Sequence, residues 1–156
     1  MKKASVLFVC MGNICRSPTA EAVFRQKIEA AGLSDDILVD SAGTHDYHIG
    51  HSPDERAARA ARSRGYDMSG IKARQVERGD FLKFDYILAM DRQNLAMLQR
   101  VAGPELQGKA RLFMEFSKEF TEKEVPDPYY GGARGFERVL DMVESAASGL
   151  IEEILS

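Results

Sequence analysis

Residues Val6 to Ala20 read VLFVCMGNICRSPTA, and the change of character inside that stretch decides the fold. The apolar run Val6-Leu7-Phe8-Val9 predicts a buried strand that stops at Cys10. Gly12 and Asn13 then turn the chain, and Arg16, Ser17 and Pro18 open a helical pattern. Gly12 permits backbone angles closed to other residues and Asn13 tolerates left-handed geometry, so the loop's N–H groups can converge on an anion. Ser17 reads as the N-cap and Pro18 as the first helical residue, which aims the positive end of the helix dipole at the same concavity. Arg16 adds a planar cation that matches two phosphate oxygens.

Cys10 is the protein group placed to share that field. A free cysteine is mostly thiol at neutral pH, and only the thiolate is a strong nucleophile. A helix N-terminus contributes about 0.3 to 2 kcal/mol toward an anion, and each hydrogen bond to a charged acceptor about 1.5 to 3 kcal/mol. Together they can hold a thiolate, where either alone is marginal. An isolated cysteine and arginine at this spacing would read as a buried thiol beside a surface cation. The strand before, Gly-Asn within and Ser-Pro after make the loop a phosphate cradle instead.

The rest of the composition bounds the answer. With 156 residues, 44% of them hydrophobic and 29% charged, the chain reads as one globular domain over residues 1–156. A net charge of −3 from interspersed acids and bases gives no nucleic-acid footprint. No apolar span reaches membrane length, so neither nucleic acid nor membrane is expected as a partner. The two cysteines, Cys10 and Cys15, sit five positions apart, where a structural disulfide would staple almost nothing. That spacing points to a reducing, cytoplasmic compartment. Cys15 reads either as a core filler or as a redox partner that shields Cys10 from irreversible oxidation.

Along the chain, apolar residues from Pro18 to Ala31 keep helical spacing and Gly32 supplies the stop. Ile37-Leu38-Val39 is a second strand running into Asp40-Ser41-Ala42-Gly43, where Ser41 could brace the first loop. Ser52-Pro53-Asp54-Glu55 predicts a helix capped by Ser52 and ending near Arg64. A short helix is expected near Arg78 to Phe81, a third strand from Tyr86 to Met90, a helix from Arg92 to about Val101, and a fourth strand from Ala110 to Phe113. Gly131 to Gly135 reads as a loop, and Phe136 to Ile154 as a long amphipathic helix. Strands alternating with helices imply a parallel sheet covered on both faces, with ligands bound beyond the strands' carboxyl ends.

A thiolate in an anion nest suggests attack on phosphorus while Arg16 and the loop amides hold the other oxygens. The leaving oxygen then needs a proton. Asp127, in Val125-Pro126-Asp127-Pro128-Tyr129-Tyr130, is the candidate acid because the flanking prolines restrict its backbone. A phosphate dianion nearby would favour its protonated form, so a mildly acidic rate optimum is expected.

The pairing of VCMGNICRSP with DPYYGG resembles the low-molecular-weight protein tyrosine phosphatase family, across essentially the whole chain. The resemblance implies a single three-layer, doubly wound α/β domain with a four-stranded parallel sheet and a phosphate-binding loop after the first strand. It implies a reaction without cofactor or metal, with Cys10 as nucleophile, Arg16 as phosphate clamp and Asp127 as acid. Asn13, Ser17 and Ser41 match loop-bracing positions. Met11, Gly12, Asn13, Ile14, Cys15, Ser17, Tyr47, His48, Tyr129 and Tyr130 fall where the family binds substrate. Phosphotyrosine-containing proteins, a tyrosine kinase among them, are the implied partners. One departure is the absence of the histidine that many relatives carry before Ala73-Arg74-Gln75 to bond the loop asparagine.

Rival readings follow from single residues. Arsenate reductases on the same loop need two further cysteines, and none follows Cys15. Protein arginine phosphatases carry threonine where Ile14 stands, and an apolar side chain better suits an aromatic ring. A non-catalytic phosphate-binding module would lack the nucleophile or the acid. No Gly-Lys-Ser/Thr follows the loop, which excludes a nucleotide P-loop. His45, His48 and His51, with Asp46 between, read as cleft wall or solvent-exposed residues rather than metal ligands.

Overall fold

The computed structural model describes residues 4–128 and 132–156. The first apolar run forms β1 (Ala4–Cys10), the most buried strand of the sheet, with every residue buried. It pairs in parallel with β2 (Ile37–Gly43) on one side and β3 (Tyr86–Ala89) on the other, and β3 pairs with β4 (Ala110–Leu112). The strand order is β2-β1-β3-β4.

Period-two alternation along β1 divides the core. Val6, Phe8 and Cys10 face one layer with α1 (Arg16–Ala30) and α5 (Gly132–Leu155). Leu7 and Val9 face the other with α3 (Asp80–Lys83) and α4 (Arg92–Ala102). Phe8 meets Phe24 and Phe113 edge-on at ring separations of 5.6 and 5.0 Å, contacts that add about 0.5 to 1.5 kcal/mol each beyond area burial. The remaining helix, α2 (Glu55–Ser63), packs against α5 and α1. The three-layer, doubly wound arrangement is therefore as expected.

Element ends differ from expectation in instructive ways. Helix α1 begins at Arg16 with Cys15 as its cap residue, so Ser17 is not the N-cap. The Cys15 carbonyl accepts both the N–H and the hydroxyl of Thr19, at 3.2 and 2.7 Å, while the Ser17 hydroxyl is drawn inward. Pro18 is then the third helical residue, still among the first four N–H positions that lack an intrahelical partner. Helix α2 is capped by Asp54 rather than Ser52, because the Asp54 carboxylate accepts from the N–H groups of Arg56 and Ala57 at 2.8 and 3.3 Å. Burial raises that carboxyl, but the Arg56 side chain and these backbone bonds more than offset it and hold it below the usual range. The loop expected from Gly131 to Gly135 is also corrected, since α5 starts at Gly132. Packing of Gly135 against Pro128, whose Cα would lie 3.5 Å from an added Cβ, outweighs glycine's poor helix propensity of about 1 kcal/mol. Residues 113–116 form a 3-10 turn after β4 rather than its continuation.

Candidate active site

Loops that follow β1, β2 and β3 meet at one end of the sheet. The connection from β1 runs toward β2 and that from β3 toward β4, which leaves a crevice between the carboxyl ends of β1 and β3. The loop after β1 is fixed from outside. The carbonyls of Cys10, Met11 and Ile14 accept from the N–H groups of Thr44, His45 and Asp54 at 2.9, 3.0 and 2.8 Å. In a trans peptide the C=O and the following N–H point opposite ways, so these bonds turn the amides of Met11, Gly12 and Cys15 toward the concavity. Gly43 permits the clamp, because a Cβ there would lie 2.8 Å from the Met11 carbonyl oxygen.

Inside the loop, the buried Cys10 sulfur receives the Asn13 N–H at 3.3 Å and lies 3.0 Å from Ser17 Oγ. Asn13 reaches this position with a φ of 57°, the left-handed geometry its short polar side chain tolerates. Its amide donates to Ser17 Oγ at 2.8 Å and Ser41 Oγ at 3.0 Å, and its oxygen accepts the Arg74 N–H at 3.1 Å. The main chain of Arg74 thus supplies a brace to Asn13 in a chain that lacks the family's histidine.

Arg16 is 4% exposed. Its Nη1 donates to Asp91 Oδ2 at 2.8 Å and to the Val125 carbonyl at 3.0 Å, and its Nη2 stands 3.9 Å from Asp127 Oδ2. Burial opposes the charge, but Cys10 and Asp91 more than restore it, and the guanidinium is held protonated more firmly than usual. Burial first, and then Asp54, push the Cys15 thiol up to about 12. At neutral pH it therefore stays a thiol.

A cleft of about 350 Å³ opens over these groups, lined by Cys10, Met11, Gly12, Ile14, Cys15, Arg16, Tyr47, His48 and Asp127. Tyr47 is 65% exposed and stacks on His45 at 5.1 Å. His45 Nδ1 pairs with Thr44 Oγ1 at 2.8 Å, and the His48 and His51 rings lie 5.6 Å apart. Among the described residues no cluster of three or more His, Cys, Asp or Glu side chains could hold a metal ion. Tyr129 and Tyr130, expected on the cleft wall, lie outside the described residues. Asn13, Ser17 and Ser41 stand behind the loop and brace it. Asp91, Arg74 and Glu21 are functional neighbours that sequence reasoning missed. Asp91 carried a signal, an acid directly after a strand at the ligand-binding edge. Glu21 carried another, an acid set among the small and apolar residues of Thr19-Ala20-Glu21-Ala22-Val23-Phe24.

The model of the family described as low molecular weight phosphotyrosine protein phosphatase matches residues 5–156. The chain belongs to this family. Among curated relatives, the low molecular weight phosphotyrosine protein phosphatase of Schizosaccharomyces pombe is 46% identical over 136 residues, covering 86% of each chain. The low molecular weight protein-tyrosine-phosphatase YfkJ of Bacillus subtilis is 41% identical over 150 residues, covering 96% of this chain and 95% of that one. Among solved structures, the protein tyrosine phosphatase of Entamoeba histolytica, crystallised with Hepes in its active site, superposes with a TM-score of 0.94 at 43% identity, covering 97% of each chain. Low molecular weight phosphatase membership accounts for the sheet order, the loop after β1 and the crevice over it.

Proposed function

We propose that residues 1–156 act as one catalytic domain that hydrolyses phosphotyrosine, and small aryl phosphates, through a cysteinyl-phosphate intermediate. The observation that carries this reading is the Cys10 sulfur, bonded by the Asn13 N–H and Ser17 hydroxyl on the floor of a cleft that also holds Arg16 and Asp127. The Cys10 thiolate attacks phosphorus as the P–O bond to the tyrosyl oxygen breaks, and protonated Asp127 gives its proton to that oxygen. Asp127 then takes a proton from water, whose oxygen attacks phosphorus as the P–S bond breaks. Inorganic phosphate leaves and the thiolate is restored. Arg16 and the inward-facing loop amides hold the three equatorial oxygens throughout, so the chemistry needs no metal or cofactor.

Ile14, Met11 and Tyr47 line the cleft and offer apolar surface to an aromatic ring, which favours phosphotyrosine over phosphoarginine. Substrates are accordingly phosphotyrosyl proteins, with a tyrosine kinase among them. Both cysteines are free, which fits a reducing compartment, and we place the protein in the cytoplasm. The test compares turnover of an aryl phosphate, a phosphotyrosyl peptide and a phosphoarginyl protein by wild type, Cys10→Ser and Asp127→Ala, with chelator present. Cys10→Ser should be inactive, Asp127→Ala strongly impaired and chelator without effect. Preference for phosphoarginine would overturn the substrate and leave the nucleophile standing.

A further inference from the structure

Glu21 is a buried carboxylate, 4% exposed, that no step of the reaction uses. It follows Ser17 by one helical turn on α1. Its Oε2 accepts from Arg25 Nε at 2.9 Å, and its Oε1 accepts from Ser41 Oγ at 2.6 Å. Every further link has a direction that follows from donor and acceptor chemistry. A backbone N–H only donates, so the Arg74 N–H must face Asn13 Oδ1. Both amide hydrogens of Asn13 therefore point at Ser17 Oγ and Ser41 Oγ. Each hydroxyl accepts from Asn13 and must send its own proton elsewhere. The Ser41 proton goes to Glu21, which as a carboxylate only accepts. The Ser17 proton goes to Cys10 Sγ at 3.0 Å, since the competing Ala42 carbonyl is 3.5 Å away. Arg74 is itself pinned by Asp40 and Asp80, each at 3.1 Å.

We propose that Glu21 is a positioning residue that, together with the Arg74 N–H, fixes the direction of the chain Glu21–Ser41–Asn13–Ser17 so that it ends as a donor to the Cys10 sulfur. The inference rests on Cys10 being the nucleophile. In Glu21→Gln the amide oxygen is claimed by the Arg25 guanidinium, which leaves NH2 facing Ser41. The Ser41 proton then has no acceptor in a buried site. Rotation of the Asn13 amide relieves it, at the expense of the Arg74 bond, and Ser17 then donates to Asn13 instead of to Cys10. The charged groups around Glu21 are Arg25 on its own helix and Asp40, Asp67 and Lys72 around the shallow depression they share. Those that face Cys10 are Arg16 and, across the same cleft, Asp127. The Ser41 hydroxyl is bonded to Glu21 and to neither of the other carboxylates, since Asp40 accepts from Arg74 and the Ser41 N–H and Asp67 from the Ser69 N–H.

The test is alkylation of Cys10 by iodoacetamide, followed by peptide mass, at about pH 6 and about pH 9.5, on either side of an ordinary thiol's titration. Glu21→Gln should slow Cys10 alkylation about tenfold at the lower pH, the worth of one hydrogen bond to a charged acceptor, and leave it near wild type at the higher. Ser41→Ala removes the stranded proton together with its hydroxyl, so it should leave Cys10 alkylation near wild type and should abolish the Glu21→Gln effect in the double variant. If Glu21→Gln does not fold, Glu21→Met, which removes the acceptor without adding a donor, carries the same test. Equal slowing at both pH values, or none at either, would overturn the inference. Retained turnover in Cys10→Ser would instead remove the nucleophile, so the two failures are distinguishable.

Discussion

Arg16 Nη1 is committed to Asp91 and the Val125 carbonyl, so the angle at which the guanidinium meets phosphate is set from behind. Asp91 Oδ1 separately accepts the Asn94 N–H at 2.8 Å and caps α4. Asp91→Asn can keep the cap while losing the charge on Arg16. It should lower kcat about tenfold, on the scale of one charge-assisted hydrogen bond, weaken inhibition by inorganic phosphate, and lower Tm, because the buried guanidinium loses a compensating charge. Steady-state kinetics and a melting curve check both halves. At this scale Cys10, Arg16 and Asp127 were legible in the sequence, because spacing and residue type announce the chemistry. The partners of Asp91, Glu21 and the Arg74 N–H were not, since they lie 75, 20 and 61 positions away and only the fold brings them together.

At the scale of elements, α5 lies so close to the 3-10 turn at residues 113–116 that a Cβ on Gly149 would stand 1.7 Å from the Phe116 carbonyl oxygen. The obstacle is backbone, which cannot rotate away. Gly149→Ala, which on an exposed helix would add about 1 kcal/mol of stability, should here destabilise by roughly 1 to 3 kcal/mol as overpacking does. Urea unfolding measures the sign. Periodicity exposed the bodies of the longer helices and strands, whereas the short helix expected near Arg78 to Phe81 forms at Asp80–Lys83, and the ends were decided by hydrogen bonds. Asp54 outcompeted Ser52 because a carboxylate two residues nearer the first turn reaches two N–H groups, while the Ser52 hydroxyl receives Lys72 Nζ at 2.8 Å. Ser17 reads as a cap in sequence but is spent on Cys10 and Asn13.

For the whole molecule, the pH dependence of stability follows from groups whose protons burial retains. Cys15 is raised from an ordinary 9.0 to about 12 by burial, and Tyr66 from 10.0 to about 12 by burial and its hydrogen bond to Glu144. In both cases the folded protein keeps a proton that the unfolded chain gives up sooner. The stability present below about pH 9 is therefore lost progressively as pH rises toward about 12. Denaturant midpoints across that range should fall in wild type and fall less steeply in Cys15→Ala. An unchanged slope in the variant would count against the buried neutral thiol.

The sheet places its chemistry at the carboxyl ends of its strands, and the central claim is that Cys10 carries the phosphoryl group between substrate and water. Asp127→Ala offers the most direct view of that intermediate. With p-nitrophenyl phosphate, whose leaving group needs no proton, the first step survives while the water in the second step has lost its base. Acid-quenched Asp127→Ala protein, digested and weighed, should carry one phosphoryl group on the peptide containing Cys10. Phosphate on another residue, or no phosphoenzyme while Cys10→Ser still turns over, would contradict the account.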